Sequence, residues 1–417
     1  MEEAIPDWLT NEFLTQCLRG EETKRDIVVI NHKLSPVAPP GNNYGSFITR
    51  VRIEYKHSAD KELHSISLIL KSELTQGVVK EAFDNLGELQ QSEYDFYYKF
   101  IPKAAKLLDT SSFAPQSYLP PVNGITVLED LKANGFVMAD RTKQLDYDHC
   151  RLYMDAAASM HAAYVAVHKQ DPNVIESIEK EKMFSNEVGG HEMFLSMIKG
   201  GMTVLADATE KADGFQKYAR VLRDAIPVLW EALVEIHKPC DYINTINQGD
   251  PWTTNMMFKY DDEGNVTEVK LIDFQCLRYA SPFNDVVFLI WTSANNYVRT
   301  HKLNELYQNY LYTFNNKLEE THCTERLTYT QMKESLRRLS PLTIFLAASW
   351  YPLLTHPDAV DFGKFLPKEG ENSEEVVLKY YQHFYNEKFC KEEVPQLLEQ
   401  IEKEGVFEDL EALLNKC

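Results

Sequence analysis

The amino-acid sequence predicts an α+β fold in two lobes: a small N-terminal lobe with an antiparallel sheet and a helix, and a larger, mostly helical C-terminal lobe. Strand-like alternation is concentrated in the first third of the chain, and helical periodicity dominates the remainder. A single β-hairpin pattern interrupts the helical part. At 417 residues, the chain is also too long for one compact core. We place the boundary so that the lobes span residues 1–130 and 131–417.

Three apolar, β-branched segments in the first third predict an antiparallel meander. Residues 46–57 alternate between apolar and charged side chains, a period of two that is typical of a half-buried strand. The segments at residues 26–34 and 63–73 have the same character. Apolar residues then recur at helical spacing over residues 77–101, and Pro102 closes the pattern. The sequence therefore predicts a helix directly after the meander.

Helix-forming patterns dominate the C-terminal part of the chain. Residues 149–169 are rich in alanine, and residues 215–238 are amphipathic, so both segments predict helices. Residues 394–416 predict an exposed, acidic helical region. Between these helices, residues 256–274 read as two strands around the turn "DDEGN", which predicts a hairpin. Residues 129–134 predict a connector ahead of the helical part.

Composition narrows the possible functions. The formal charge of −20 disfavours nucleic acid and anionic membrane surfaces as partners. The seven cysteines include no C-x-x-C pair, so they indicate neither a disulfide framework nor a cysteine zinc site, and reduced thiols favour a cytoplasmic location. The N-terminus lacks the apolar core of a signal peptide, and no apolar run is long enough to span a membrane. No obligate protein partner is indicated.

The stretch "INQGDPWTTNMMF" carries the strongest chemical pattern. It places Asp250 five residues before Asn255, directly ahead of the predicted hairpin, whose return strand ends at Asp273. Pairing of the hairpin brings these three side chains together, where their oxygens would suit Mg²⁺ or accept a proton from a hydroxyl group. Each residue alone is more simply a turn cap or a loop residue. The three together favour the layout of kinase-type phosphoryl transfer.

The N-terminal part supplies the other residues that such a site needs, in the required order. Lys71 ends the third predicted strand, and Glu93 lies in the helix that follows. The loop "GNNYGS" between the first two strands contains Gly41, Gly45 and Ser46, but it is not a P-loop. Taken singly, Lys71 is an ordinary lysine at the end of a strand, Glu93 is an ordinary helix glutamate, and the loop is a weak turn signal. Their order along the chain favours a nucleotide site.

These motifs resemble those of the ecdysteroid kinase-like (CHK kinase-like) family of arthropods, which is related to aminoglycoside phosphotransferases and choline kinases. The resemblance extends from about residue 40 to about residue 350 and rests on segments such as "LILKSE", "VLEDLKANGFVMADR", "MHAAY", "QGDPWTTNMMF" and "LIDFQ". It implies a protein-kinase-like fold with two lobes. It also implies a kinase that uses ATP and Mg²⁺ to phosphorylate a hydroxyl group of a small molecule.

The resemblance also implies a role for each candidate residue. Asp250 would be the catalytic base, and Asn255 and Asp273 would bind Mg²⁺. Lys71 would contact the ATP phosphates and pair with Glu93. A loop that contains Gly41, Gly45 and Ser46 would cover the phosphates. A hinge that spans Glu129 to Leu131 would lie beside the adenine. Asp285 would brace the catalytic loop, and His161 is expected to be a packing residue.

Two residues depart from the pattern of that family. Gln248 and Pro251 stand where the family usually has histidine and leucine in H-G-D-L-W. We expect the Gln248 amide to replace the bracing hydrogen bond of the histidine. If these changes instead silence the site, the protein is a pseudokinase-like protein that binds a small molecule. A protein kinase is less favoured, because H-R-D, D-F-G and A-P-E are missing.

The acceptor is the least defined part of the prediction. A lipophilic alcohol, either an ecdysteroid or a xenobiotic or dietary compound, is consistent with the resemblance. Aromatic residues are frequent in the helical part, and an aromatic cleft would suit such an alcohol. For most of these aromatic residues, packing in the core is the simpler explanation. The aromatic residues considered are Trp252, Phe258, Trp291, Tyr297, Phe345, Trp350 and Tyr351.

Overall fold

The protein is described here by a computed structural model, which covers residues 7–20, 26–37, 46–57, 62–73, 89–178, 181, 183–187, 191–365 and 373–416. Gly41 and Gly45 of the predicted phosphate loop lie outside the described residues, as does the first half of the helix predicted over residues 77–101. Ser46 begins a strand.

The N-terminal lobe is a four-stranded antiparallel sheet with strand order β1-β2-β3-β4 in the described part of the chain. This confirms the predicted meander and adds a fourth strand to it. A short helix, α1, packs on β1. The bounds are α1 Asn11–Arg19, β1 Ile27–Pro36, β2 Ser46–His57, β3 His64–Glu73 and β4 Ile125–Glu129.

Strand β3 presents different residues on its two faces. Leu68 and Leu70 point into a hydrophobic cluster that the sheet shares with α1. Because side chains alternate along a strand, Lys71 points to the opposite face, towards the C-terminal lobe. Lys71 pairs with Ile48 on β2 and with Thr126 on β4, so it lies in the interior of the sheet.

The helix after the sheet differs in detail from the prediction. Helix α2 spans Leu89–Asp95, continues as a π-helical turn over Phe96–Phe100, and restarts as the short helix α3 at Ile101–Ala104. Pro102 therefore does not end the helical segment, as predicted, but lies in the first turn of α3. Proline is tolerated there because the first N–H groups of a helix have no intrahelical partner.

The C-terminal part is mostly helical, as predicted. Its core is a large hydrophobic cluster that also includes residues of α2 and of the π-helical turn. The helices are α4 Tyr147–Gln170, α5 His191–Thr209, α6 Lys217–Ile236, α7 Phe283–Ser293, α8 Asn296–His301, α9 Leu303–Glu320, α10 Tyr329–Arg338, α11 Ser340–Phe345, α12 Tyr351–Thr355, α13 Ser373–Phe384, α14 Glu387–Glu392, α15 Val394–Lys403 and α16 Val406–Leu414.

The C-terminal region over residues 394–416 is not the exposed helical region that was predicted. Its apolar side chains, including Leu397, Ile401 and Phe407, are buried in the main core. The glutamates and lysines of α15 and α16 face outwards and account for the acidic appearance of the segment. Composition alone led to the error, because it does not show which face of an amphipathic helix is covered.

Two small sheets inside the helical lobe hold the segments that carry the candidate site. Strands β6 (Met256–Tyr260) and β7 (Val266–Leu271) form the predicted hairpin. Strand β5 (Thr245–Asn247) pairs with β8 (Arg278–Ala280). The loop after β5 and the segment after β7 therefore meet at one end of the hairpin.

The fold class predicted from the sequence is confirmed: an antiparallel sheet lies in the N-terminal part, and helices with one hairpin form the C-terminal part. The lobe boundary at residues 130 and 131 stays a prediction. In the part of the chain that the structure describes, no helix has the length and apolar character needed to cross a membrane.

Candidate active site

The loop after β5 has a backbone that only glycine fits. Gly249 has φ of +86°, and a Cβ atom built on it would lie 1.9 Å from the carbonyl oxygen of Cys276. Two segments distant in sequence therefore touch through their backbones at this position. The contact fixes the loop that carries Asp250 against the segment that follows Asp273.

Asp250 and Asn255 contact each other directly. Asn255 Nδ2 donates to Asp250 Oδ2 at 3.0 Å and to the backbone carbonyl of Asp250 at 2.9 Å. A short 3₁₀ turn over Thr253–Asn255 brings them together. Both amide hydrogens are thus used by Asp250, so Oδ1 is the atom of Asn255 that is available to a cation.

Asp273 lies beside Asn255, as the hairpin predicted. Met256 pairs with Leu271 in the hairpin, and the N–H of Ile272 donates to the carbonyl of Asn255 at 3.0 Å. Asp273 has φ of +64°, a conformation that is uncommon for a residue other than glycine. Backbone strain of this kind is often found at functional sites. Nothing in the sequence pattern predicted it.

Gln248 forms the brace that was expected of it. Its Nε2 donates to the carbonyl of Ile272 at 2.7 Å and to the carbonyl of Asn255 at 3.1 Å. One side chain thereby ties the Asp250 loop to the residue before β6 and to the residue after β7. Its Oε1 is buried and has no hydrogen-bond partner among the described residues, so the amide is used only as a donor.

A buried acid holds the same loop from the other side. Asp285, in the first turn of α7, accepts the N–H groups of Gln248 at 2.7 Å and Gly249 at 3.0 Å. His161 Nε2 lies 3.2 Å from Asp285 Oδ2, and His161 Nδ1 lies 2.6 Å from the Tyr310 hydroxyl. Both His161 nitrogens thus have partners, and the residue supports the loop through Asp285.

Lys71 joins the two lobes at the site. Its ammonium lies 2.7 Å from Glu93 Oε2 and 2.8 Å from Asp273 Oδ1. The contact with Glu93 is an ion pair by distance rather than an aligned hydrogen bond. Burial opposes the charge on Lys71, but the two carboxylates outweigh burial and raise the pKa of Lys71 above its usual value. Lys71 is therefore a buried ammonium whose charge is stabilised by two carboxylates.

Glu93 also fixes the segment after Asp273. Its Oε1 accepts the N–H of Phe274 at 3.1 Å, and the Phe274 ring stacks on Phe96 with centroids 3.7 Å apart. Glu93 and Phe96 belong to the same continuous helical segment, in α2 and in the π-helical turn. The position of Asp273 is therefore coupled to the helix that carries Glu93.

The carboxyl group of Asp250 has an unusual affinity for protons. Burial, and then the charge of Asp273, raise its pKa to about 8, although Arg278 and the hydrogen bond from Asn255 oppose the shift. A carboxylate with a raised pKa is a stronger base than an ordinary aspartate, and a pKa near neutral pH suits general-base catalysis.

Arg278 is a component of the site that sequence reasoning missed. Its Nη2 donates to the carbonyl of Gly249 at 3.1 Å and lies 3.4 Å from Met183 Sδ. Its Nε is buried without a hydrogen-bond partner among the described residues. The available signal was an arginine five positions after Asp273, at the start of a short strand, and such a signal is weak.

The predicted hinge has a defined backbone. The N–H of Glu129 donates to the carbonyl of Gln116 at 2.9 Å, and the carbonyl of Leu131 accepts from Asn134 and Phe136, both at 3.0 Å. Between them, Asp130 Oδ2 accepts from Arg50 Nε at 2.6 Å and Ser67 Oγ at 2.7 Å. Sequence reasoning did not identify this anchor, which ties the hinge to the sheet.

The donor set of Asn255 and Asp273 fits Mg²⁺. The available atoms are carboxylate and carboxamide oxygens, the ligands that a hard divalent cation prefers. Asn255 is nearly buried, whereas the Asp273 side chain is 39% exposed, so one side of the pair is open to solvent. Few protein ligands and an open side are typical of Mg²⁺ held together with substrate phosphates.

Most of the aromatic residues considered for an acceptor cleft pack in the core. Phe258, Trp291, Phe345 and Tyr351 are buried, as the simpler explanation predicted. Tyr297 is exposed. Trp252 and Trp350 are partly buried against the main hydrophobic cluster.

A comparison with protein-family models decides the family. The model of the ecdysteroid kinase-like family matches residues 40–323, more than half of the chain. The chain belongs to the ecdysteroid kinase-like family. This ecdysteroid kinase-like protein is accordingly a small-molecule kinase, a phosphotransferase with an alcohol group as acceptor. No curated protein matches it in a sequence search.

Solved structures of small-molecule kinases align with this ecdysteroid kinase-like protein at low similarity. An ethanolamine kinase of Plasmodium vivax is 12% identical, with a TM-score of 0.38, and the match covers 84% of this chain and 81% of that one. A choline/ethanolamine kinase family protein from Mesorhizobium loti is 11% identical, with a TM-score of 0.32 and coverage of 84% and 89%. A microcompartment-associated aminopropanol kinase is 11% identical, with a TM-score of 0.38 and coverage of 88% and 95%.

Proposed function

We propose that this protein uses ATP and Mg²⁺ to phosphorylate a hydroxyl group of a lipophilic alcohol, such as an ecdysteroid or a xenobiotic or dietary compound. The observation that carries the proposal is the position of Lys71, a buried ammonium between Glu93 and Asp273. A lysine that links the sheet lobe to the hairpin lobe in this way provides positive charge where the phosphates of a nucleotide would lie.

In this proposal, Asp250 acts on the acceptor. Its Oδ2 is held by Asn255. In its ionised form, the carboxylate with a raised pKa is a stronger base than an ordinary aspartate, and it would accept the hydroxyl proton as the oxygen attacks the phosphoryl group. Gln248, Asp285 and the glycine contact at residue 249 keep the carboxylate in place. The reaction therefore depends mainly on positioning and electrostatics.

Asn255 and Asp273 would hold Mg²⁺, which supplies positive charge to the phosphate oxygens when it is bound. Asp273 already has Lys71 at 2.8 Å, so the lysine and the cation site share one carboxylate. The Lys71 ammonium would also attract the phosphates, while its ion pair with Glu93 holds it beside Asp273. The positive charges of Lys71 and Mg²⁺ would together stabilise the negative charge on the phosphoryl group during transfer.

The hinge would bind adenine through its backbone. The N–H of Glu129 and the carbonyl of Leu131 are engaged within the protein. Outside the sheet ladder, the carbonyl of Glu129 and the N–H of Leu131 have no backbone partner among the described residues. They would serve as the acceptor and the donor that one edge of adenine requires. The Asp130 ion pair with Arg50 would keep this edge rigid.

A lipophilic acceptor is supported by the side chains around Asp250. Trp252, two residues after the base, and Met183, which contacts Arg278, are both partly buried against the main core. An apolar alcohol would gain from contact with such surfaces, since burial of apolar area contributes about 25 cal/mol per Å².

The test is a screen of alcohols with ATP and Mg²⁺, read by mass spectrometry for the addition of one phosphoryl group. We expect products from one or more steroid or phenolic alcohols, and none with Asp250→Ala. A protein that is stabilised by lipophilic ligands but not by Mg·ATP, and that gives no product, would contradict the proposal. That outcome would favour the pseudokinase-like binding protein instead. Gln248 no longer supports that alternative, because its bracing bonds are formed.

A further inference from the structure

Two histidines and one aspartate come together far from the nucleotide site in sequence. They are His356 and Asp358, in the turn after α12, and His383, near the end of α13. Each offers one ligand atom, and these atoms all lie within 4.8 Å of one another. We propose that this triad is a binding site for a divalent transition-metal ion such as Zn²⁺.

The distances are close to those that a metal ion requires. Ligand atoms at about 2.0–2.1 Å from a tetrahedral zinc ion lie roughly 3.3 Å from one another. His383 Nε2 is 2.8 Å from Asp358 Oδ2, and His356 Nδ1 is 3.7 Å from the same oxygen. These two spacings lie on both sides of the required one, and the third, between the two histidines, is within 4.8 Å. Binding of an ion would therefore need side-chain rotations that bring the three atoms to about 3.3 Å from one another.

The ligand types select the class of metal. Imidazole nitrogens suit zinc and other first-row transition metals, whereas Mg²⁺ prefers oxygen ligands. The triad therefore differs chemically from the Asn255 and Asp273 pair.

The turn that presents His356 and Asp358 is held in place from behind. The guanidinium of Arg141 donates to the backbone carbonyls of Leu354, Pro357 and Asp358 at 2.8–3.0 Å, and also to that of His356. Four bonds from one side chain fix the backbone without using any ligand atom. The backbone that presents His356 and Asp358 is thus fixed before an ion binds.

Phe384 fixes the orientation of the rings. It contacts His356 edge-on, with centroids 5.0 Å apart, and it follows His383 in α13. His356 Nδ1 also accepts the N–H of Asp358 at 3.1 Å. Because Nδ1 accepts this bond, Nδ1 carries the lone pair of the ring, and it lies 3.7 Å from Asp358 Oδ2. A bound ion would take the place of the Asp358 N–H as the partner of Nδ1.

The site is open enough for an ion to enter. The side chains of Asp358 and His383 are 59% and 56% exposed, and that of His356 is 16% exposed. Three protein ligands would leave a fourth position to water. A bound ion would cross-link the turn after α12 to α13, and would therefore stabilise the C-terminal part of the lobe.

The test uses the full chain, freed of metal with a chelator and titrated with Zn²⁺ in the absence of nucleotide. We expect one equivalent to bind, and at least tenfold weaker binding in His383→Ala and Asp358→Asn. The matched control is His301→Ala, an exposed histidine at the end of α8, which should bind as the unchanged protein does. Circular dichroism shows whether each variant is folded.

Co²⁺ provides a second readout that does not depend on stability. We expect visible absorption bands of a site with nitrogen and oxygen ligands, absent in His383→Ala. Zinc binding that is unchanged in both variants would overturn the proposal, as would no binding at all. A strong near-ultraviolet thiolate band would also overturn it, because it would place the ion on cysteine residues instead.

Discussion

Replacement of Asp250 by asparagine should stabilise the metal-free protein while it abolishes phosphoryl transfer. Asparagine has the same shape, and its carbonyl oxygen can accept the hydrogen bond that Asn255 donates to Asp250 Oδ2. It cannot ionise, so it avoids the cost of charge in this partly buried position. Residues that are tuned for catalysis often reduce stability in this way.

The magnitude follows from the pKa of Asp250. The folded protein raises this pKa from 3.8 to about 8, so at pH 7 the carboxyl group is ionised in the unfolded chain and protonated in the folded one. At about 1.4 kcal/mol per pH unit, the upper limit at pH 7 is about 4 kcal/mol. Because Asp250 keeps some solvent contact, we expect roughly half of that, about 2 kcal/mol.

The pH dependence of the free energy of unfolding can be used to test this prediction. A raised acid pKa means that the wild-type protein loses stability, relative to Asp250→Asn, as the pH rises from about 4 to about 8. Urea unfolding of both proteins at several pH values, without divalent cations, measures this difference. The matched control is Asp213→Asn on the exposed surface, which should follow the wild type. A gap between Asp250→Asn and the wild type that is constant across this range would refute the reasoning.

Three further substitutions test the supports of the site. Gly249→Ala should cost more than about 2 kcal/mol in the free energy of unfolding, because a Cβ would meet the Cys276 carbonyl, whereas Gly264→Ala, with a similar φ and open space, should cost only about 1 kcal/mol. Lys71→Met leaves two carboxylates without their cation, so we expect a loss of about 3 kcal/mol and of ATP binding, against less than about 1 kcal/mol for the exposed Lys143→Met. Gln248→Leu should lower kcat at least tenfold, since it removes the donor to the Ile272 carbonyl, while Gln248→His should keep kcat within a few-fold. Denaturant unfolding and steady-state kinetics measure these effects. Full activity in Gln248→Leu, or equal costs for the two glycine variants, would contradict the account.

Local patterns were sufficient to predict the elements that carry the site. The alternation over residues 46–57 and the turn "DDEGN" specify strands and a hairpin through short-range chemistry, and the hairpin in turn places Asp273 beside Asn255. The order of Lys71 and Glu93 along the chain then agreed with the geometry, because α2 is the next element after β3 among the described residues.

Contacts between distant segments were not predictable in the same way. Arg278 reaches Gly249 only because β8 pairs with β5, and neither short strand has a distinct sequence pattern. The buried face of residues 394–416 depends on helices that are far away in sequence. The triad of His356, Asp358 and His383 likewise has no local spacing motif, since α13 must fold back before its ligands meet.

The central proposal is that Asp273 and Asp250 would have different roles: Asp273 would hold the cation, and Asp250 would act on the acceptor. Calorimetric titration of Mg·ATP into the wild type, Asp273→Asn and Asp250→Asn tests this most directly, with phosphoryl transfer measured on the same samples. We expect Asp273→Asn to lose at least tenfold in Mg·ATP affinity. Asp250→Asn should keep that affinity and lose transfer. Equal loss of Mg·ATP affinity in both variants, or transfer that survives in Asp250→Asn, would contradict the claim.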